Sequence, residues 1–180
     1  FLEKKIPVLF MTDAVDEFWL PNIGKFKNFE FKSITKGKVD LSNIGEKKES
    51  KKDKNKSKLN SKINDLTILL KNELKDSISD VIVSERLTKS PVLLVAEESG
   101  MDINMEKLMK IHNKNTPDSK KILEINPNHP MIVKLSNSLK NIDHKKLSFL
   151  LLDQANILDG NILSNPSNYI ENLTDIFIQD

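Results

Sequence analysis

The chain has 180 residues, of which 38% are hydrophobic and 30% charged, and its formal net charge at pH 7 is +2. It contains no cysteine, which excludes a disulfide framework, a zinc–thiolate site and a cysteine nucleophile. No apolar run approaches the roughly 20 residues that span a bilayer, so no membrane partner is expected. The opening residues 1–5 are typical of the interior of a longer chain rather than of a signal segment.

Three elements are predicted in the first forty residues. The continuous apolar run 6–11 predicts a buried strand. Residues 14–20 are typical of a short helix, which Pro21 is expected to end or kink. Residues 29–34 alternate apolar and polar side chains as a half-buried strand does, and Gly37 closes that segment.

A lysine-rich stretch follows. Residues 46–58 hold seven lysines against three acidic residues and no apolar residue. Such a stretch cannot bury a core face, so it is either a flexible linker or the solvated start of a helix. Apolar residues at largely helical spacing come next and predict a helix over about residues 59–75. The lysines are not interleaved with aromatic residues, and Arg86 is the only arginine, so a nucleic-acid partner is not expected.

The middle of the chain alternates short apolar runs with helix signals. The runs predict three strands, at residues 80–84, 91–95 and 121–125. A helix is expected from Asp102, a favourable N-cap residue, to about Ile111. Residues 126–130 predict a turn into a further helix, because asparagine caps helices and proline is tolerated in the first helical turn.

The last forty residues predict two amphipathic helices, over 144–159 and 165–178. Gly160 is expected to end the first helix. The apolar stripes of the two helices comprise Leu147, Leu150, Leu151, Gln154, Ala155 and Leu158, and then Tyr169, Ile170, Leu173, Ile176 and Phe177. Further apolar residues lie outside the first stripe, and a helix that is apolar on more than one face needs more than one neighbour. A second copy of the chain would supply that neighbour.

Several segments together resemble one family. Residues 81–91, 100–110, 123–130 and 151–155, together with the earlier segment 12–18, are similar in order and spacing to segments of the HtpG-type chaperones of the ninety-kilodalton heat-shock family. The similarity covers nearly the whole chain. Its most recognisable part is the sequence of residues 123–130, and its least matched part is the lysine-rich stretch.

The resemblance implies an α+β fold and a chaperone function in the cytoplasm, in protein folding and the stress response. Residues 1–44 would be the end of an α/β middle domain, residues 45–58 a lysine-rich linker or solvated helix start, and residues 59–180 the carboxy-terminal dimerisation domain. That domain would contain a short three-stranded sheet and helices. Its last two helices would form a four-helix bundle in a homodimer, with the two stripes given above as the interface.

The resemblance also implies that the family's ATP site lies in domains that precede this region. The five glycines are scattered and form no nucleotide loop, so the chain is not expected to be an enzyme or to hold a cofactor. ATP and magnesium would belong to the full-length chaperone. An alternative is a small hydrolase or phosphotransfer domain that uses Asp13 and Asp16, but it lacks a nucleophile–base pair.

Two groups of residues are candidates for contact with unfolded or partly folded client proteins. The first group lies on one face of a predicted helix and comprises Met101, Met105, Leu108 and Met109, and methionine adapts to varied partners. The second is Phe18, which falls at an aromatic client-contact position of the family, with Trp19 next to it. The alternative is that both groups pack inside the fold, in which case the chain is a pure dimerisation module.

The remaining chemical candidates favour structural roles. His112, His129 and His144 do not have metal-ligand spacing, so no metal site is expected. Arg86 could bind a client carboxylate, but a structural bond to a nearby acid or backbone group is the favoured interpretation.

Overall fold

A computed structural model of the chain describes residue 1 and residues 5–13, 15–37, 54–113 and 117–178. In these residues the helices are α1 (Asp16–Ile23), α2 (Lys54–Glu73), α3 (Ile103–His112), α4 (Pro130–Asn137), α5 (His144–Leu158) and α6 (Pro166–Ile178). The strands are β1 (Lys25–Phe26), β2 (Phe29–Glu30), β3 (Ile78–Val83), β4 (Val92–Val95) and β5 (Lys121–Ile125). The architecture is α+β, as the sequence predicts. None of the helices in these ranges is both long and apolar enough to cross a bilayer.

The chain divides into two compact units. The first comprises Phe1–Lys47 and Val95–Ser119, and the second comprises Lys48–Leu94 and Lys120–Asp180. The first unit therefore contains α1, the β1–β2 hairpin and α3. The second contains the three-stranded sheet and the other four helices.

The sheet of the second unit has the strand order β3–β5–β4. Strands β3 and β5 are parallel, with Val81 opposite Leu123 and Val83 opposite Ile125. All three strands lie close to their predicted positions, because short β-branched runs favour a pleated, buried surface.

One apolar core fills the second unit. Helix α2 contributes Ile63, Leu66 and Leu70, and Leu74 follows directly after its end. All four recur at helical spacing and are almost completely buried. They pack with residues of the sheet and of helices α4 and α5. The helix begins at Lys54, within the lysine-rich stretch; the part of that stretch before residue 54 lies outside the described residues.

Side-chain caps define where the later helices begin. Asp102 caps α3 by accepting a hydrogen bond from the Asn104 backbone N–H at 3.1 Å. His129 caps α4 through Nδ1, which accepts from the Met131 N–H at 3.2 Å, and Pro130 occupies the first turn. The predicted turn into α4 is confirmed, but the capping residue is His129 rather than an asparagine.

Arg86 makes the structural bond that the sequence favours. Its guanidinium donates from Nε to Glu124 Oε2 at 2.9 Å and from Nη2 to Glu124 Oε1 at 2.5 Å. Ser84 donates to the same carboxylate at 2.9 Å. All three residues are buried, so this pair holds the loop after β3 onto the central strand β5.

The predicted buried strand at residues 6–11 is wrong. This run has no regular secondary structure, and Leu9 and Phe10 are exposed. A continuous apolar run becomes a buried strand only where a neighbouring strand pairs with it, and no described residue supplies that pairing.

The prediction that the first helix ends at Pro21 is wrong. Helix α1 continues past Pro21 to Ile23. Proline removes one backbone donor from a helix, but the Gly24 N–H donates to the Leu20 carbonyl at 3.2 Å and closes the last turn. Gly24 has a φ of 62°, which glycine adopts without strain.

The predicted half-buried strand over residues 29–34 is reduced to β2. It pairs antiparallel with β1, with Phe26 opposite Phe29. Both strands are exposed along their whole length, so the apolar alternation here does not mark a face that this chain covers.

Candidate functional site

Helix α1 presents two aromatic side chains to solvent. Phe18 is 49% exposed and Trp19 is also exposed. The Trp19 indole N–H donates to Asp16 Oδ1 at 2.9 Å, so the polar edge of the ring is satisfied while part of its surface stays open. The two candidate client residues are therefore accessible in this chain.

The methionine stripe lies at and along α3. Met101 precedes the helix and is 40% exposed. Met105, Leu108 and Met109 are each half-buried, whereas Ile103 and Glu106 form the buried side of the helix. The stripe therefore lies at the boundary between core and surface, with Met101 as its most open member.

A polar cluster joins α1 to the start of α3. Asp102 Oδ2 accepts hydrogen bonds from the Ser33 hydroxyl at 2.8 Å and from the Thr35 hydroxyl at 2.7 Å. The Glu17 carboxyl on α1 lies close to the Asp102 carboxylate and the Asn104 side chain at the start of α3. Burial raises the pKa of the Glu17 carboxyl, and the nearby Asp102 carboxylate raises it further. The sequence analysis missed this cluster because its members come from three separate segments.

A second polar group fixes the segment after α3. Glu106 is buried and accepts from Lys110 Nζ at 2.5 Å and from the Ser119 hydroxyl. Lys110 also pairs with Asp118. Burial acts to lower the pKa of Lys110, but its bonds to Asp118 and Glu106 raise it overall. The sequence analysis does not name this group, although the four-residue spacing of Glu106 and Lys110 is a local signal that could have revealed their pair.

Most candidate dimer residues of α5 belong to the core of the single chain. Leu147, Leu150, Leu151 and Ala155 are buried, with no more than 2% of each exposed. Gln154 is half-buried and Leu158 is exposed. The four buried residues have almost no surface left to offer a second chain.

The predicted dimer residues of α6, unlike those of α5, are half-buried or exposed. Tyr169, Leu173 and Ile176 are half-buried, and Ile170 and Phe177 are exposed, with Phe177 at 75%. Its only buried residue is polar, Asn172. The exposed apolar residues around α6 also include Ile157, Ile162 and Ile178.

A groove of about 240 Å³ lies beside α6. Its lining comes from α4, α5, α6 and the segment between α4 and α5. The residues are Met131, Lys134, Leu135, Ser138, Asn141, Ile142, Leu150, Gln154, Leu173, Ile176 and Phe177. Five of these, the last five named, were predicted as dimer residues from their helical stripes. The others were missed, because α4 and the segment after it are brought to this groove only by the tertiary fold.

The two acidic residues considered for a phosphotransfer site lie at the start of α1. Asp13 and Asp16 are joined by a hydrogen bond from the Asp13 backbone N–H to Asp16 Oδ2 at 3.1 Å, which is a helix-start contact. Within the described ranges, no three His, Asp or Glu side chains are placed to hold a metal ion.

Comparison with known proteins decides the family. The family model described as "Hsp90 protein" matches residues 1–179. The chain belongs to the Hsp90 family. Its relatives in that family include three bacterial proteins that carry the name "Chaperone protein HtpG".

The relative from Roseobacter denitrificans is 39% identical, in an alignment of 179 positions that covers 96% of this chain and 29% of the relative. The relative from Ruthia magnifica is 37% identical over 96% of this chain and 27% of the relative. The relative from Nitrosomonas europaea is 33% identical over the full chain and 27% of the relative. The chain thus spans less than a third of the length of these Hsp90-family proteins.

Proposed function

We propose that this chain is the part of a cytoplasmic Hsp90-family chaperone that joins two copies and offers apolar surface to unfolded or partly folded client proteins. The observation that supports it most is the exposed apolar surface of α6, next to an apolar groove. A contiguous apolar patch on a protein surface usually marks an interaction site.

The dimer contact is proposed on α6 and the end of α5. Ile170 and Phe177 project from α6, and Leu158 lies at the end of α5. Half-buried Leu173 and Ile176 line the groove beside them. A symmetric pair would place the exposed side chains of one copy against the same surface of the other. Two helices from each copy would then form a four-helix bundle that buries on the order of 1,200–2,000 Å².

Molecular mass as a function of concentration tests the dimer. The unchanged chain is expected to sediment as a dimer at tens of micromolar, and Phe177→Glu with Ile170→Glu is expected to be monomeric, because two charges would be buried in the interface. Phe29→Glu is a matched control, because Phe29 is equally exposed, at 76%, and lies in the other unit. An unchanged chain that stays monomeric would overturn the proposal.

The client contact is proposed on the first unit. Phe18, Trp19 and Met101 are exposed, and Met105, Leu108 and Met109 are partly exposed beside Met101. Met and aromatic side chains pack against unrelated sequences, which suits a protein with many partners. If client binding lay elsewhere in the full-length protein, this chain would be a pure dimerisation module.

Suppression of client aggregation separates these two possibilities. Phe18→Ser with Met101→Ser is expected to weaken the suppression while dimer mass and melting temperature stay nearly unchanged. Ile68→Ser is the control, because Ile68 is an exposed apolar residue of α2 in the second unit. Equal suppression by both variants would favour the pure dimerisation module. A large loss of melting temperature in the first variant would show that its two residues are core.

ATP turnover is proposed to belong to the full-length chaperone and not to this chain. ATP and magnesium would then be bound outside the segment described above. Purified chain is expected to show no hydrolysis above background. Hydrolysis that disappears in Asp13→Asn or Asp16→Asn would contradict this.

A further inference from the structure

The exposed apolar residues of the first unit lie beside carboxylates. On α1, Asp16 and Glu17 directly precede Phe18 and Trp19. At the start of α3, Asp102 directly follows Met101. The Glu17 carboxyl lies close to both Asp102 and Asn104. Apolar surface and negative charge are thus combined in one small region of this unit.

These carboxylates are partnered by neutral donors rather than by cations. Asp102 accepts from two hydroxyls and a backbone N–H. Asp16 accepts from the Trp19 indole and the Asp13 backbone N–H. Among the described residues, no lysine or arginine forms an ion pair with Asp16, Glu17 or Asp102.

The arrangement leaves the negative charges acting on one another. Asp102 and Asp16 both disfavour the charged form of Glu17, in addition to its burial. A positive group arriving from a partner would relieve this repulsion. The gain would be larger than at an isolated exposed carboxylate, because Glu17 is partly shielded from water.

We propose that the surface formed by Phe18, Trp19 and Met101 selects polypeptide segments that carry lysine or arginine next to their apolar residues. The apolar side chains of the segment contact the aromatic rings and the thioether. The ammonium or guanidinium groups lie against Asp16, Glu17 and Asp102. This inference rests on the proposed client-binding function and adds a charge preference to it.

Binding of three synthetic peptides to the full 180-residue chain tests the preference. The peptides share one apolar core of leucine and phenylalanine, flanked on both sides by two lysines, two glutamates or two serines. Trp19 is the only tryptophan of the chain, so its fluorescence reports occupancy at this surface. The anisotropy of a labelled peptide gives an independent measure of binding.

The lysine-flanked peptide is expected to bind about tenfold more tightly than the serine-flanked peptide at an ionic strength of about 0.01 M, and about equally at 1 M, where exposed charges are screened. The glutamate-flanked peptide is expected to bind most weakly at low salt. Glu17→Gln should reduce the preference, because it removes one of the three carboxylates while Asp16 and Asp102 keep theirs. Glu73→Gln is the matched control, since it removes one exposed carboxylate from α2 in the other unit.

The other possible results separate the charge preference from the proposed client function of this surface. Equal binding of all three peptides, lost in Phe18→Ser, would overturn the charge preference and leave the client surface standing. A lysine preference that is undiminished in both Glu17→Gln and Phe18→Ser would place the negative site elsewhere and overturn the inference. No binding of any peptide by either measure would overturn the proposed client function of this surface.

Discussion

Helices α5 and α6 have similar apolar stripes but different surroundings. Six residues of α5 are buried, including Leu147, Leu151 and Ala155 in the main core. In α6 only Asn172 is buried, and Phe177 is three-quarters exposed. Helical spacing of apolar residues therefore indicates that a face is to be covered, but not whether the cover comes from the same chain or from another.

The largest expected difference is in folding stability. Leu151→Ala is expected to reduce the free energy of unfolding by about 2–5 kcal/mol, as for other buried leucines. Phe177→Ala is expected to change it by no more than about 0.5 kcal/mol when the chain is monomeric. Urea denaturation followed by circular dichroism, at the lowest measurable protein concentration, gives both values.

Measuring Leu151→Ala and Phe177→Ala at high protein concentration sharpens the comparison between α5 and α6. A dimer is stabilised by mass action, so the cost of Phe177→Ala should grow with protein concentration and that of Leu151→Ala should not. If the cost of Phe177→Ala does not depend on concentration, α6 does not contribute to an interface.

An intermediate effect is expected at the inner side of α6. Ile176 is half-buried and packs against the core cluster, so Ile176→Ala is expected to cost about 1–2 kcal/mol. Ile178→Ala is the control two residues later, at an exposed position of the same helix. Equal melting temperatures for the two variants would mean that α6 does not pack on the core in solution.

A smaller effect is expected at the ion pair between α5 and α6. Lys146 Nζ lies 2.5 Å from Asp175 Oδ2, and this hydrogen bond raises the pKa of Lys146. A raised lysine pKa contributes stability below its unfolded value, and that contribution disappears as pH rises through the folded value. The melting temperature of the unchanged chain should therefore fall slightly more at alkaline pH than that of Lys146→Ala. Lys145→Ala, a neighbouring exposed lysine, should behave like the unchanged chain.

The smallest effect is expected at the start of α5, in acid. The backbone N–H of Lys146 donates to the Asp143 carboxylate at 3.0 Å and lowers its pKa. A lowered aspartate pKa stabilises the fold above its unfolded value, and this is lost as pH falls through the folded value. Asp143→Asn keeps a good N-cap. On acidification, its melting temperature should decrease slightly less than that of the unchanged chain. A larger decrease would contradict the capping role.

The sequence predicts best where the signal is local. The three strands and helices α2, α3, α5 and α6 have their spacing, caps and glycine stops within a few residues, and they lie near their predicted positions. The run 6–11 was misread because its burial depends on a neighbour that the pattern cannot reveal. Leu151 was predicted as an interface residue but lies in the core of the single chain. The helical spacing of its apolar stripe fits either location.

The candidate surfaces were predictable only in part. Phe18, Trp19 and Met101 were identified by resemblance and are exposed. The Asp102 cluster and the α4 side of the groove were not predicted, because residues such as Thr35 and Ile142 are brought into place by contacts between distant segments. Whether these surfaces bind clients or a second copy stays a prediction until the experiments above are done.

The pair formed by Arg86 and Glu124 restricts how this sequence can change over generations. Each residue is buried, and removing one partner of a buried pair costs about 3–5 kcal/mol because it leaves a charge without compensation. A substitution at either position alone is therefore expected to destabilise the fold, whereas a joint replacement by two apolar residues is expected to cost less. We expect these two positions, which are 38 residues apart in the sequence, to vary together among relatives.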